Sequence, residues 1–246
     1  MLIPHYQEAV PTLDVPQMIE VDRLMVEEYQ INLIQMMENA GRCLAIVARD
    51  RFLSPNVMAK KVVVMSGTGN NAGGALVCAR RLFNWGANIE VYLTRSEQRL
   101  KPAPTHQLHI LKHMGVPVYG PDDLRDVQGI DLIIDGIIGY SLSGSPRGKA
   151  KEFIEWANQQ SAPILSLDTP SGIDLTTGKI YTPSIHADAT LTLALPKVGL
   201  YQKEVRSIRG ELYLGDISVP PNLYSEPTLG LDIADLFIKS DVIRID

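Results

Sequence analysis

The chain has 246 residues, 45% of them hydrophobic, and a formal net charge of −5. That length and apolar content can bury a sizeable core, and an acidic chain with no basic patch is a poor partner for nucleic acid. No apolar run approaches the ~18 residues that span a bilayer; no basic start followed by an apolar block opens the sequence as a secretory signal would. Cys43 and Cys78 sit among apolar residues, as buried thiols of a cytoplasmic protein do.

Residues 15–29 place Met18, Val21 and Met25 on one helical face. Residues 31–50 read as a second, more hydrophobic helix, in which Gly41 marks a close packing contact. Strand-like runs follow at 61–65, 89–93, 130–134, 163–167, 189–195 and 211–214, with helical patterns at 73–85, 104–114 and 149–160. Strands that are apolar through most of their length and alternate with helices predict a parallel sheet covered on both faces. The expected fold is α/β: a three-layer αβα, Rossmann-like arrangement with a mostly parallel central sheet, preceded by two helices. No linker or repeat divides the chain, so residues 1–246 are expected to form a single domain. The stretch PPNLYSEPTLG (220–230) reads as a surface loop.

In such a sheet, ligands bind beyond the carboxyl ends of the strands. Three Gly-containing polar segments fall there: Ser66 to Gly74, Asp135 to Ser145, and Asp168 to Asp174. Gly67-Thr68-Gly69-Asn70-Asn71-Ala72 fits the phosphate-cradling fingerprint. The acidic residue a dehydrogenase wants after the second strand is absent, since that position reads Thr94-Arg95-Ser96. Either Asn70 or Asn71 could cap the helix that follows. Taken with Asp135, Asp168 and Ser171, the pair also makes a set of hard oxygen donors that suits an alkali or alkaline-earth cation and not zinc. Asp135 and Asp168 are each either loop-capping carboxylates or acid/base groups, and Pro170 would hold Asp168 and Ser171 in fixed relation. His106, His109 and His113 share a helical face, but no carboxylate or thiol supports a metal there.

These residues resemble the YjeF N-terminal domain family, the NAD(P)H-hydrate epimerases. The resemblance rests on MMENAG (36–41), GTGNNAGGALVCARRL (67–82), DLIIDGIIGYSLSG (131–144), LSLDTPSGID (165–174), ADATLTLALPKVGL (187–200) and GELYLGDISVP (210–220). It implies an isomerase that interconverts the C6 epimers of hydrated NADH and NADPH, a form of nicotinamide nucleotide repair, with a separate dehydratase acting on one epimer. Some relatives are instead catalytically silent modules that bind a nucleotide or a protein. The resemblance also implies substrate contacts at Asn70, Asn71, Ala72, Gly73 and Gly74. A second substrate loop would run through Gly139, Tyr140, Ser141, Leu142, Ser143, Gly144 and Ser145. Asp168 would touch substrate and catalyse, and a potassium ion would be held by Asn71, Asp135 and Ser171. Relatives are often dimers. This chain departs from the family's Asn-Asn-Gly-Gly-Asp-Gly run at Ala72, at Gly74, where the family carries an acid, and at Ala75. Outside a left-handed conformation, an Asp at position 74 would be expected to sit comfortably in the first helical turn.

Overall fold

The structure, a computed structural model, describes residues 3–233 and 236–246. Two helices lead: α1 (Val15–Glu27) and α2 (Leu33–Val47), the latter running into a π-helical turn at Ala48–Leu53. Both start on a capping box. Asp14 and Gln17 exchange side-chain-to-backbone bonds at α1, as Asn32 and Gln35 do at α2, which satisfies amides that a helix start leaves unpaired.

The alternating part follows as β1 (Lys61–Ser66), α3 (Asn70–Asn84), β2 (Asn88–Leu93), α4 (Pro102–His113), β3 (Val118–Tyr119) and β4 (Leu132–Gly136). It continues through α5 (Lys149–Asn158), β5 (Ile164–Leu167), β6 (Ala189–Leu193), α6 (Lys203–Arg209) and β7 (Glu211–Gly215). A short α7 (Pro221–Tyr224) and β8 (Val242–Arg244) close the order.

The strands form one sheet in the order β3-β2-β1-β4-β5-β6-β7-β8, parallel throughout except for β8, which pairs antiparallel to β7. Successive side chains of a strand face opposite ways, and the core divides accordingly. Val62, Val64, Leu132, Ile134, Leu165 and Leu167 pack under α2, α3 and α4; Val63, Met65, Ile133 and Ile164 pack against Phe153, Ile154 and Ala157 of α5. Helix α1 lies in a separate cluster with Leu214, Ile217, Leu223 and Tyr224. At Gly41, a Cβ would collide with Val77 and with the carbonyl oxygen of Gly74, so glycine there lets α2 lie close on α3.

Four details differ from the expectations. Helix α3 begins at Asn70, three residues early. Strand β6 stops at Leu193 because Ala194 turns left-handed, φ 61°. The edge strands β3 and β8 were not anticipated. Residues 221–224 form a helical turn that buries Leu223 and Tyr224 rather than a solvated loop. Among the described residues, no helix is long and apolar enough to cross a membrane.

Candidate active site

The strand order reverses between β1 and β4, where the loops leaving their carboxyl ends diverge. A cavity of about 450 Å³ lies there, within the usual size of a small-molecule site. Met18 and Asp22 of α1 and Met36, Met37 and Ala40 of α2 form part of its wall. Thr68 to Asn71 and Gly74, the turn Ile137 to Ser141, and Leu167 and Asp168 after β5 form much of the rest, with Lys101 at the entrance to α4.

Neither asparagine caps α3. Gly69 is the N-cap residue, and no side chain bonds back to the first turn. Asn71 instead donates from Nδ2 to the Leu167 carbonyl, 3.2 Å, tying α3 to the end of β5; Asn70 is exposed on the cavity wall. The uncapped helix start leaves backbone amides and their partial positive charge beside the cavity. Lys101 is the one cationic side chain among its described lining residues. Together they suit an anion such as a phosphate.

Asp168 is held in the left-handed region, φ 67°, a conformation rare outside glycine and commonest for Asn and Asp. Its N–H donates to Leu191, 2.6 Å. The Oδ1 atom accepts from Lys197 Nζ at 2.6 Å, and Oδ2 accepts from the Tyr140 backbone N–H at 3.0 Å. Lys197 is fully buried and spends its other donors on Thr192 Oγ1, 3.3 Å, and the Leu193 carbonyl, 3.0 Å. A backbone outlier whose carboxylate opens on a cavity is the kind of strain that collects at working sites.

Tyr140 reaches a second carboxyl. Its hydroxyl donates to Asp22 Oδ2 at 2.5 Å. Burial pushes the Asp22 carboxyl above the ordinary carboxylate range, with the Tyr140 bond and Lys197 working against that shift and the Asp168 charge adding to it. Burial first, and then the charge of Asp22, holds the Tyr140 phenol protonated, so it remains a donor.

Asp135 is buried behind the cavity wall. Ser171 Oγ (2.6 Å) and the Ile137 N–H (3.2 Å) donate to Oδ1; Ser166 Oγ and the Ser171 N–H, both 2.8 Å, donate to Oδ2. Burial raises its proton affinity, and the four donated bonds oppose that rise. Ser171 Oγ also accepts the Ile138 N–H, 2.9 Å, so Asp135 and Ser171 lace the turn after β4 to the turn after β5.

The anticipated residues therefore divide. Asn70, Asn71, Gly74, Gly139, Tyr140, Ser141 and Asp168 line the cavity, whereas Ala72, Gly73, Asp135, Ser171 and the stretch Leu142, Ser143, Gly144 and Ser145 do not. Gly74 is helical, but a Cβ there would stand 2.7 Å from Leu167 Cδ2, so an Asp would not sit as comfortably as expected. Ala72 is an ordinary helical residue and is not among the positive-φ positions. His106, His109 and His113 lie exposed on α4, and no group of three His, Cys, Asp or Glu placed to hold a metal occurs among the described residues. Sequence reasoning missed Asp22, Lys101 and Lys197. For Lys197 there was a signal, a lone lysine inside the apolar run ALPKVGL just past a strand.

The family profile described as YjeF-related protein N-terminus matches residues 33–199. The chain belongs to the YjeF-related N-terminal family. A Dehalogenimonas lykanthroporepellens protein named NAD(P)H-hydrate epimerase is 38% identical over 238 residues, which cover 97% of this chain and 94% of that protein. The bifunctional NAD(P)H-hydrate repair enzyme Nnr of Moorella thermoacetica is 33% identical over 84% of this YjeF-related chain, a match that spans 40% of the longer relative. A solved yeast structure superposes with a TM-score of 0.81 at 28% identity, covering 96% of this chain and 100% of that one.

Proposed function

We propose that this YjeF-related chain epimerises C6 of hydrated NADH and NADPH and that Asp168 handles a proton in the reaction. The observation that carries the reading is the Asp168 carboxylate, fixed by Lys197 and the Tyr140 amide at the wall of a cavity of nucleotide-fragment size. Inversion at C6 asks for little. The hydroxyl leaves with a proton, the N1 lone pair closes an N1=C6 double bond, and water adds to the other face. A carboxylate positioned at that carbon can take up and return the proton. Lys197 does not line the cavity; it acts through Asp168, holding the carboxylate in place and balancing its charge. The α3 amides and Lys101 would take the substrate's pyrophosphate. Met18, Met36 and Met37 offer an apolar wall for the reduced ring.

The donor set also suits a potassium ion. Asp135 is a buried carboxylate whose partners are all neutral donors, with no cationic side chain among them, and an uncompensated buried charge is costly. Asn71, Asp135 and Ser171 would hold the ion, which would supply that missing charge and pin the turns after β4 and β5. Free Cys43 and Cys78 support a reducing, cytoplasmic setting.

One assay tests the reading. A single epimer of hydrated NADPH is mixed with a dehydratase specific for the other epimer, with and without this protein. Rapid and complete consumption only when the protein is present supports epimerisation. Consumption no faster than in the blank contradicts it.

A further inference from the structure

Asp22 comes from α1, outside the matched stretch 33–199, yet it lines the same cavity as Asp168. Tyr140 connects the two: its backbone N–H is bonded to Asp168 and its hydroxyl to Asp22. The carboxyls are thus set apart by the length of one tyrosine side chain. Inversion at a carbon that passes through a flat, nitrogen-stabilised cation has two faces to serve. Two groups can divide that work, one on the first face protonating the departing hydroxyl and one on the other receiving a proton from the incoming water. Inverting glycosidases solve the same problem, at an oxygen-stabilised cation, with two separated carboxyls.

We propose that Asp22 is the second acid/base group of the site, working on the face of C6 opposite to that served by Asp168. The inference rests on the epimerase reading. In one direction the Asp22 carboxyl gives its proton to the C6 hydroxyl as the C–O bond breaks, the N1 lone pair closes the N1=C6 bond, and one water departs. A second water then bonds C6 on the other face as that electron pair returns to N1, and its proton goes to Asp168. The turnover leaves the proton on Asp168, and exchange with solvent water returns it to Asp22, so the net change is inversion alone; the reverse direction exchanges the two roles. Burial of Asp22 favours the protonated form that the first step needs. Tyr140, Lys197 and Asp168 are the other titratable groups that act on Asp22.

The pair works with one proton between its two carboxyls, so the wild-type pH profile should be bell-shaped, falling in acid when both are protonated and in alkali when both are ionised. The test measures epimer exchange with single-epimer hydrated NADPH for the full chain and for Asp22→Asn, Asp22→Glu and Tyr140→Phe, each with a melting curve. Asp22→Asn should lose ~10²-fold or more in kcat with little change in KM and should lack the alkaline limb. Asp22→Glu should regain that limb and part of the rate. Tyr140→Phe should lose less than about ten-fold and keep both limbs. Should Asp22→Asn fail to fold, Asp22→Ser carries the same expectation. Asp22→Asn within about two-fold of an active wild type would overturn the inference while leaving the epimerase reading intact. Equal losses in Asp22→Asn and Tyr140→Phe, with both limbs retained, would also overturn it by reducing Asp22 to a support for Tyr140. An inactive wild type would remove both readings together.

Discussion

Asp135 and Asp168 enter the sheet in the same way, each at the carboxyl end of a buried parallel strand, and each is almost wholly buried. Their surroundings differ in kind. Asp135 faces four neutral donors and closes the seam between two turns, whereas Asp168 faces a buried ammonium and opens on the cavity. The difference teaches that a strand-end carboxylate can brace loops or carry chemistry, and that its partners decide which. A shell of neutral donors, away from the cavity, makes it structural. A counter-charge on one side and open space on the other leave it able to exchange a proton.

Removing the charge on the cavity side should have the largest effect. Asp168→Asn is expected to lose ~10²- to 10⁴-fold in epimerisation rate, read from initial rates on a single epimer, and near-wild-type activity would erase the distinction between the two carboxylates. Because Lys197 is left without a counter-charge, the same variant should also unfold more easily in urea, and Lys197→Met should lose about 3–5 kcal/mol. The double variant Asp168→Asn/Lys197→Met should lose less than the sum of the two singles; additive losses would mean that the pair is not coupled. On the seam side, Ser171→Ala removes one donor to Asp135 and the acceptor of the Ile138 N–H, at a cost of about 1–3 kcal/mol, with less damage to rate than Asp168→Asn causes. Gly74→Asp should lower the melting temperature through overpacking of about 1–3 kcal/mol against Leu167, the residue before Asp168. The smallest effect is electrostatic. The fold holds a proton on Asp22 more tightly than the unfolded chain does, so its stability relative to Asp22→Asn should fall as pH rises above 3.8 towards the raised value. Urea midpoints across that range check the sign.

Most of this layout is legible in the residues because it follows from local periodicity. KVVVM, DLII and ILSL are apolar enough to be central strands, and the polar segment after each of them marks the binding edge. What escaped was short or long-range. Strand β3 has two residues and β8 has three, too few for any period to emerge, and β8 exists only because β7 offers it an edge. The Asn70-Asn71 pair looks like a helix cap, but Gly69 is the N-cap and both asparagines lie in the first turn, so their side chains are free for other partners. Lys197 lies 29 residues from Asp168 and Asp22 lies 118 from Tyr140, and no spacing rule reaches that far. Asp22 in particular shares a helical face with Met18 and Met25, and only the fold shows that this part of the face lines the cavity.

The most direct test is oxygen exchange. A single epimer of hydrated NADPH is incubated with the protein in ¹⁸O-labelled water, and the inverted product is weighed by mass spectrometry against an enzyme-free blank. Loss and return of water at C6 predicts rapid inversion with one ¹⁸O in each inverted molecule. Inverted product that keeps its original oxygen, or inversion no faster than in the blank, would contradict the account.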